Sequence, residues 1–146
     1  MTKATIFATK KKRLFSKSKH MIESNLTLDI ITATLQGEKY EGQITKQLEH
    51  LEEVEYEHTD SGLLIFIEYR KEAKEFWLTD TQLHETFGES EPELSKFELI
   101  NEELNIRAET SVHFKNGIIE RVEIWNTLGD YPEEDLEKWE LRSIQS

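Results

Sequence analysis

Cysteine is absent from the 146 residues, which excludes disulfide frameworks, thiolate metal sites and cysteine nucleophiles. No apolar run approaches the roughly 20 residues that span a bilayer, so no transmembrane helix is expected. Residues 1–20 hold no apolar core of the kind a secretory signal needs, and cytoplasmic residence is the resulting expectation. Positive charge is scarce: 18 Lys and Arg stand against 30 Asp and Glu, a net −12. Its placement is uneven. Residues 1–20 carry seven positive charges (Lys3, Lys10, Lys11, Lys12, Arg13, Lys17, Lys19) and no acid, which leaves −19 on residues 21–146. A body of that charge repels phosphate backbones, so it is not expected to bind nucleic acid directly. Apolar residues make up only 36 % of the chain, yet 3 Trp, 7 Phe and 4 Tyr suffice to fill one core. The expected organisation is a flexible basic tail over 1–20 and a single acidic domain over 21–146.

Within the tail, Ala4–Thr9 alternates weakly, as a short strand does, and the composition changes at Met21. Ser24–Gln36 has helical spacing at Leu28, Ile31 and Leu35, with Ser24 or Asn25 as cap. Its many β-branched residues keep a strand open as the alternative. Ile44, Leu48 and Leu51 recur at helical spacing, which predicts an amphipathic helix to about Glu53. Val54, Tyr56 and His58 then alternate, and Asp60-Ser61-Gly62 marks a turn. Leu63–Tyr69, the most hydrophobic run, predicts a central strand. Glu75–Leu78 reads as a third strand. Thr79 or Asp80 should cap a short helix that ends at Phe87 and is closed by Gly88. Leu94–Ile100 fits a second short helix or a shorter strand. Asn116-Gly117 sits between two alternating runs and predicts a hairpin. Burial consistency favours a bulged turn there, pairing Phe114 with Ile118, Thr110 with Val122 and Ala108 with Ile124, and setting Arg107 opposite Trp125. Asp130, Pro132 and Glu133 look like a helix start, with Leu136 and Trp139 buried on a last helix to about Arg142. The sum is an α+β domain of order α-β-β-β-α-β-β-α, with helices packed on a mostly antiparallel sheet.

Candidate chemistry is sparse. Asp60-Ser61-Gly62 matches the active-site triplet of aspartic proteases, but that chemistry needs two carboxylates sharing a proton, and one copy at a hairpin tip is an ordinary turn. Gly37 and Gly42 have the gap of a phosphate loop without its Lys. His50, His58, His84 and His113 have no metal-binding spacing and read as scattered surface residues. Tyr69, Trp77, Trp125 and Trp139 could line a ligand pocket but are more often core, and a ligand-binding domain would use a pocket near Trp77 and His84. No catalytic residue, cofactor or metal ligand is therefore expected. The acidic clusters are more informative: Glu49, Glu52, Glu53, Glu55 and Glu57; then Glu85, Glu89, Glu91 and Glu93; then Glu133, Glu134, Asp135 and Glu137. One cluster is usually only a solvated face. A whole domain at −19 also speeds association with a basic partner and suppresses wrong ones.

The element order, the hairpin Thr110–Trp125 and the run Gly129-Asp130-Tyr131-Pro132 leading to Trp139 resemble the YezG-like immunity proteins of bacterial toxin systems. That resemblance implies a small, acidic, cytoplasmic inhibitor with an extended hairpin and a Trp-containing last helix. Secretion chaperones of the type III systems share the same order and acidity, and imply a protein that binds an extended segment. A small-molecule-binding or enzymatic domain is a third reading. The first makes the chain a non-enzymatic protein, monomer or dimer, that occludes a basic toxin or effector. Its expected partner-binding residues are Glu53, Glu55, Glu57, Glu89, Glu91, Glu93 and Trp125.

Overall fold

Alternation of large apolar residues along the strand segments of the chain dictates a sheet with a buried inner face. A computed structural model describes residues 2–5, 22 and 24–144. The strands are β1 (Thr2–Thr5), β2 (Leu51–His58), β3 (Gly62–Tyr69), β4 (Glu93–Leu94), β5 (Phe97–Asn101), β6 (Ile106–Lys115), β7 (Ile118–Asn126) and β8 (Lys138–Ser143). The helices are α1 (Asn25–Leu35), α2 (Glu41–Gln47) and α3 (Asp80–Phe87), with 3₁₀ turns at Leu48–His50, Lys71–Phe76 and Glu102–Leu104. The fold is α+β. Among the described residues one sheet runs β1-β8-β5-β6-β7-β3-β2, with β4 also on β6, and every pairing is antiparallel.

Val54, Ile65, Ile67, Leu99, Ala108, Val112, Val122, Ile124 and Leu141 fill the inner face. The helices close over it: Leu26, Ile30, Ile31 and Leu35 from α1, Ile44 from α2 and Leu83 from α3 join the same core. Ser24 accepts from the Thr27 N–H and starts α1 as the spacing foretold. Thr79 and Gln82 exchange both bonds of a capping box at α3, and Gly88 follows in the left-handed region. The indole Nε1 of Trp139 donates to Asp29 Oδ2 at 2.9 Å, which pins β8 beneath α1.

Four expectations are corrected. The run Asp130–Arg142 forms no helix; Tyr131 and Leu136 are buried in a loop, and Trp139 lies on β8 with Leu141 at the strand period of two. The Trp-containing last helix implied by the resemblance is thus a strand, held in place by β5 on one side and β1 on the other. Residues 94–100 take the strand alternative as β4 and β5, since Leu99 pairs with Ala108 and with Leu141. Glu75–Leu78 is not a strand: a 3₁₀ turn buries Ala73, and Leu78 N–H donates to Gly117 O at 2.8 Å. The helix after Ile44 stops at Gln47, and β2 begins at Leu51.

The hairpin register also differs. Asn116 (φ 58°) and Gly117 (φ 84°) form a two-residue turn between Lys115 and Ile118, so Phe114 meets Ile119. The extra residue sits higher, where Glu120 is skipped between the pairs Phe114–Ile119 and His113–Arg121. Beyond that bulge Thr110 faces Ile124 and Ala108 faces Asn126. The apolar sets do share one face, as burial requires, but the bulge that aligns them is not at the turn. Of the expected basic tail, residues 6–20 lie outside the described residues, as does most of the expected strand Ala4–Thr9; residues 2–5 pair with β8.

Candidate functional site, the open face of the sheet

The outer face of this sheet has no helix over it among the described residues. Strand parity decides what it displays. On β2 the odd-numbered glutamates point away from Val54 and Tyr56, and antiparallel pairing sets Glu53 beside Glu68, Glu55 beside Phe66 and Glu57 beside Leu64. Leu64 and Phe66 in turn lie beside Glu123 and Arg121 of β7, and Gly62 lies beside Trp125. On β6, Glu109 is opposite Trp125, Ser111 opposite Glu123 and His113 opposite Arg121. Glu93 of β4 reaches the same face beside His113. Five of the seven expected partner-binding residues, Glu53, Glu55, Glu57, Glu93 and Trp125, therefore share one surface. Glu89 and Glu91 do not; they are exposed in the loop after α3.

The centre of this face is apolar. Trp125 is 55 % exposed, the largest exposure of any large hydrophobic side chain described, and Leu64 and Phe66 are half-buried. The apolar run of β3 is thus split: Ile65 and Ile67 face the core while Leu64 and Phe66 face outward. The sequence predicts a central strand over Leu63–Tyr69 but does not single out this second apolar surface, although the same parity that exposes Glu55 and Glu57 exposes Phe66 and Leu64.

The carboxylates around it fall into two sets. Arg121 binds Glu123 at 2.8 Å and Glu120 at 3.1 Å, Arg107 binds Glu98 at 3.1 Å, and Arg142 binds Glu140 at 3.4 Å. Glu53, Glu55, Glu57, Glu68 and Glu109 make no ion pair or side-chain hydrogen bond among the described residues, so they carry net negative potential at the surface. The expected pairing of Arg107 with Trp125 is not formed. The register sets Glu109, not Arg107, opposite the indole, and the Arg107 guanidinium turns to Glu98.

His113 is buried on this face, correcting its expected surface position. Its Nε2 lies 3.0 Å from Ser111 Oγ, 3.4 Å from Glu123 and 3.6 Å from Glu93. The composition is that of a hydrolytic triad, but the geometry is not. All three partners converge on one ring nitrogen, whereas a triad needs the serine on one nitrogen and the acid on the other. The other histidines are dispersed: His50 stacks on Phe76, His84 lies 3.6 Å from Asp80 on α3, and His58 ends β2. Among the described residues no group of three or more His, Asp and Glu has metal-holding geometry.

Other concavities lie elsewhere among the described residues, one of about 340 Å³ between the end of α1 and the strands β5 and β8. A crevice of about 20 Å³ between α1, β2 and the Tyr131–Leu136 loop has room for a water molecule; buried and unpartnered Thr27 Oγ1 and His58 Nδ1 belong to its lining residues. A wide groove of about 380 Å³ is bounded by Trp77, Leu78, Asp80, Leu83, Ser90, Glu91 and Asn116. Trp77 does border it as foreseen, but His84 does not. Asp60-Ser61-Gly62 is the β2–β3 turn, closed by Thr59 N–H to Gly62 O at 3.0 Å. Among the described residues no helix is long and apolar enough to cross a membrane. No protein-family model matches the chain, and comparison with curated proteins and with solved structures gives no match.

Proposed function

We propose that this chain is a non-enzymatic cytoplasmic binding protein that neutralises a basic protein partner. Its most concrete form is the immunity or inhibitor protein of a toxin system, acting by occlusion. The observation that carries this reading is the open sheet face. Trp125, Leu64 and Phe66 give it an apolar centre, and Glu53, Glu55, Glu57, Glu68 and Glu109 give it a rim of carboxylates without internal counter-ions. That arrangement matches an interface in which a dry aromatic centre supplies affinity and the charged rim supplies rate and selectivity. A single exposed apolar residue on a solvated face needs no explanation; an exposed Trp whose diagonal neighbour is the half-buried Leu64, with Phe66 next along the same face of β3, is the combination that marks contact surfaces. The domain's charge of −19 draws a basic partner from a distance and disfavours acidic competitors.

The test is co-expression with the product of the adjacent gene. A stable complex and relief of that product's toxicity are expected. Replacing Glu53, Glu55 and Glu57 together by Lys should abolish both while the fold persists. A complex that survives this triple charge reversal, or the absence of any complex or rescue, overturns the proposal.

A further inference from the structure

We infer that Trp125 and Glu109 form the anchor of the open face, a receptor for a single guanidinium group of the partner. The inference rests on the reading of that face as the binding surface and names the chemistry at its centre. Trp125 stands directly opposite Glu109 in the β6–β7 ladder, and side chains so paired start roughly 5 Å apart at Cβ. The neighbouring acids are already engaged. Glu123 is held by Arg121 at 2.8 Å, and Glu98, opposite Glu109 on β5, is held by Arg107 at 3.1 Å. Glu109 is exposed and makes no ion pair or side-chain hydrogen bond among the described residues. On the other side of Trp125 the register neighbour is Gly62, which brings no side chain against the ring.

An open indole beside an uncommitted carboxylate is thus built into the ladder. The chain's own cations do not use it: the cation–ring contacts among the described residues are Lys39 on Tyr40 and Lys74 on Trp77. A guanidinium fits better than an ammonium. Its plane stacks on an indole while its edge donates two parallel N–H bonds to a carboxylate, and it is the less strongly hydrated ion. The unpaired glutamates of β2 lie two strands across from Trp125 and two, four and six residues along, so Glu57, Glu55 and Glu53 stand roughly 12, 17 and 22 Å away at the usual strand spacings. The partner therefore presents one arginine at the anchor and further basic groups at about those distances.

The experiment is a titration of the full ¹⁵N-labelled chain with capped hexa-arginine and hexa-lysine peptides at matched ionic strength, read by amide and indole shifts. The Trp125 indole resonance should move to saturation, with the arginine peptide binding about fivefold tighter than the lysine peptide. Glu109→Gln and Trp125→Leu should each bring that preference below about twofold. Equal binding of both peptides, with shifts confined to β2, would remove the anchor and leave the basic-partner reading standing. If neither peptide moves any resonance of the open face, both fail. Amide dispersion of each variant reports that the sheet is intact.

Discussion

Gln47 and Ile119, seventy-two positions apart, are joined by a hydrogen bond from the Ile119 N–H to Gln47 Oε1 at 3.2 Å. The Gln47 amide nitrogen donates in turn to Gly117 O at 2.9 Å and to Phe76 O at 3.0 Å. One fully buried side chain thus fastens α2, the 3₁₀ turn and the hairpin tip together. Gln47→Leu keeps the volume but strands the Ile119 N–H without a partner. The expected loss is roughly 2–4 kcal/mol of unfolding free energy, measured as a lower urea midpoint with an unchanged slope. A loss below about 0.5 kcal/mol would mean that the junction is not formed in solution.

Gly117 bears on the same junction from the other side. It has φ 84°, and a Cβ there would come within 2.1 Å of Leu78 O. Gly88 has nearly the same backbone, φ 80°, but open space around it. Gly88→Ala should cost about 1 kcal/mol, the conformational term alone. Gly117→Ala should cost at least about 2 kcal/mol more, because the Leu78 backbone must retreat. Equal losses in thermal or urea denaturation would refute the close approach of residue 78 to the hairpin.

What the sequence made legible follows the range of the forces involved. Helix ends were legible because caps are local: Ser24 for α1, Thr79 and Gly88 for α3. The exposed glutamates of β2 and Trp125 were legible because strand parity is local too. The last segment was not. Leu136 and Trp139 have helical spacing and Asp130 with Glu133 has that of a cap, so every local signal pointed to a helix. The strand there exists because β5 presents Leu99 and Ile100 to Leu141 and Glu140, a partnership of distant residues that overrides propensity. The hairpin bulge was misplaced for a related reason. Parity shows that one residue must be skipped between Phe114 and Trp125 but not where, and the Asn116-Gly117 pair settles into the two-residue turn that suits strand twist. Glu109, the register partner of Trp125 on the open face, was missed because that place depends on the register.

Alkaline titration should be cooperative. Burial holds the phenols of Tyr69 and Tyr131 far above their ordinary range, and at Tyr131 the charge of Asp135 adds to burial. Both stay neutral in the folded chain at a pH where an unfolded chain ionises them, from about 10 upward. The folded state therefore binds these protons more tightly. That contribution is whole below pH about 10 and drains away as pH rises past it. Absorbance of phenolate should show at least two tyrosines silent until the sheet unfolds, as followed by circular dichroism. Two tyrosines that ionise normally at pH 10–11 with the sheet intact would contradict their burial.

Tyr69 makes a sharper case, since its hydroxyl is buried without a hydrogen-bond partner. Removing an unsatisfied buried hydroxyl relieves its desolvation. Tyr69→Phe should therefore leave stability unchanged or raise it by up to about 1 kcal/mol, and should delete one of the late-ionising phenols. A loss greater than about 1 kcal/mol would reveal a hydrogen bond to that hydroxyl in solution.

Trp125 and Trp139 should respond in opposite ways to the same truncation. Trp139 is 2 % exposed, packs in the core and donates to Asp29, so Trp139→Ala should cost roughly 3–5 kcal/mol of stability. Trp125 is 55 % exposed on the open face, and Trp125→Ala should change stability by about 0.5 kcal/mol or less. An aromatic that contributes so little to folding has no structural reason to be exposed on the same face as Leu64 and Phe66. If the face is a binding surface, its contribution appears in the complex, where loss of a central aromatic anchor weakens affinity by about 30-fold or more. Calorimetric titration against the partner, with denaturation curves of the same variants, separates the two roles. A Trp125→Ala variant that loses stability as Trp139→Ala does, or that binds like the parent chain, would remove Trp125 from the interface.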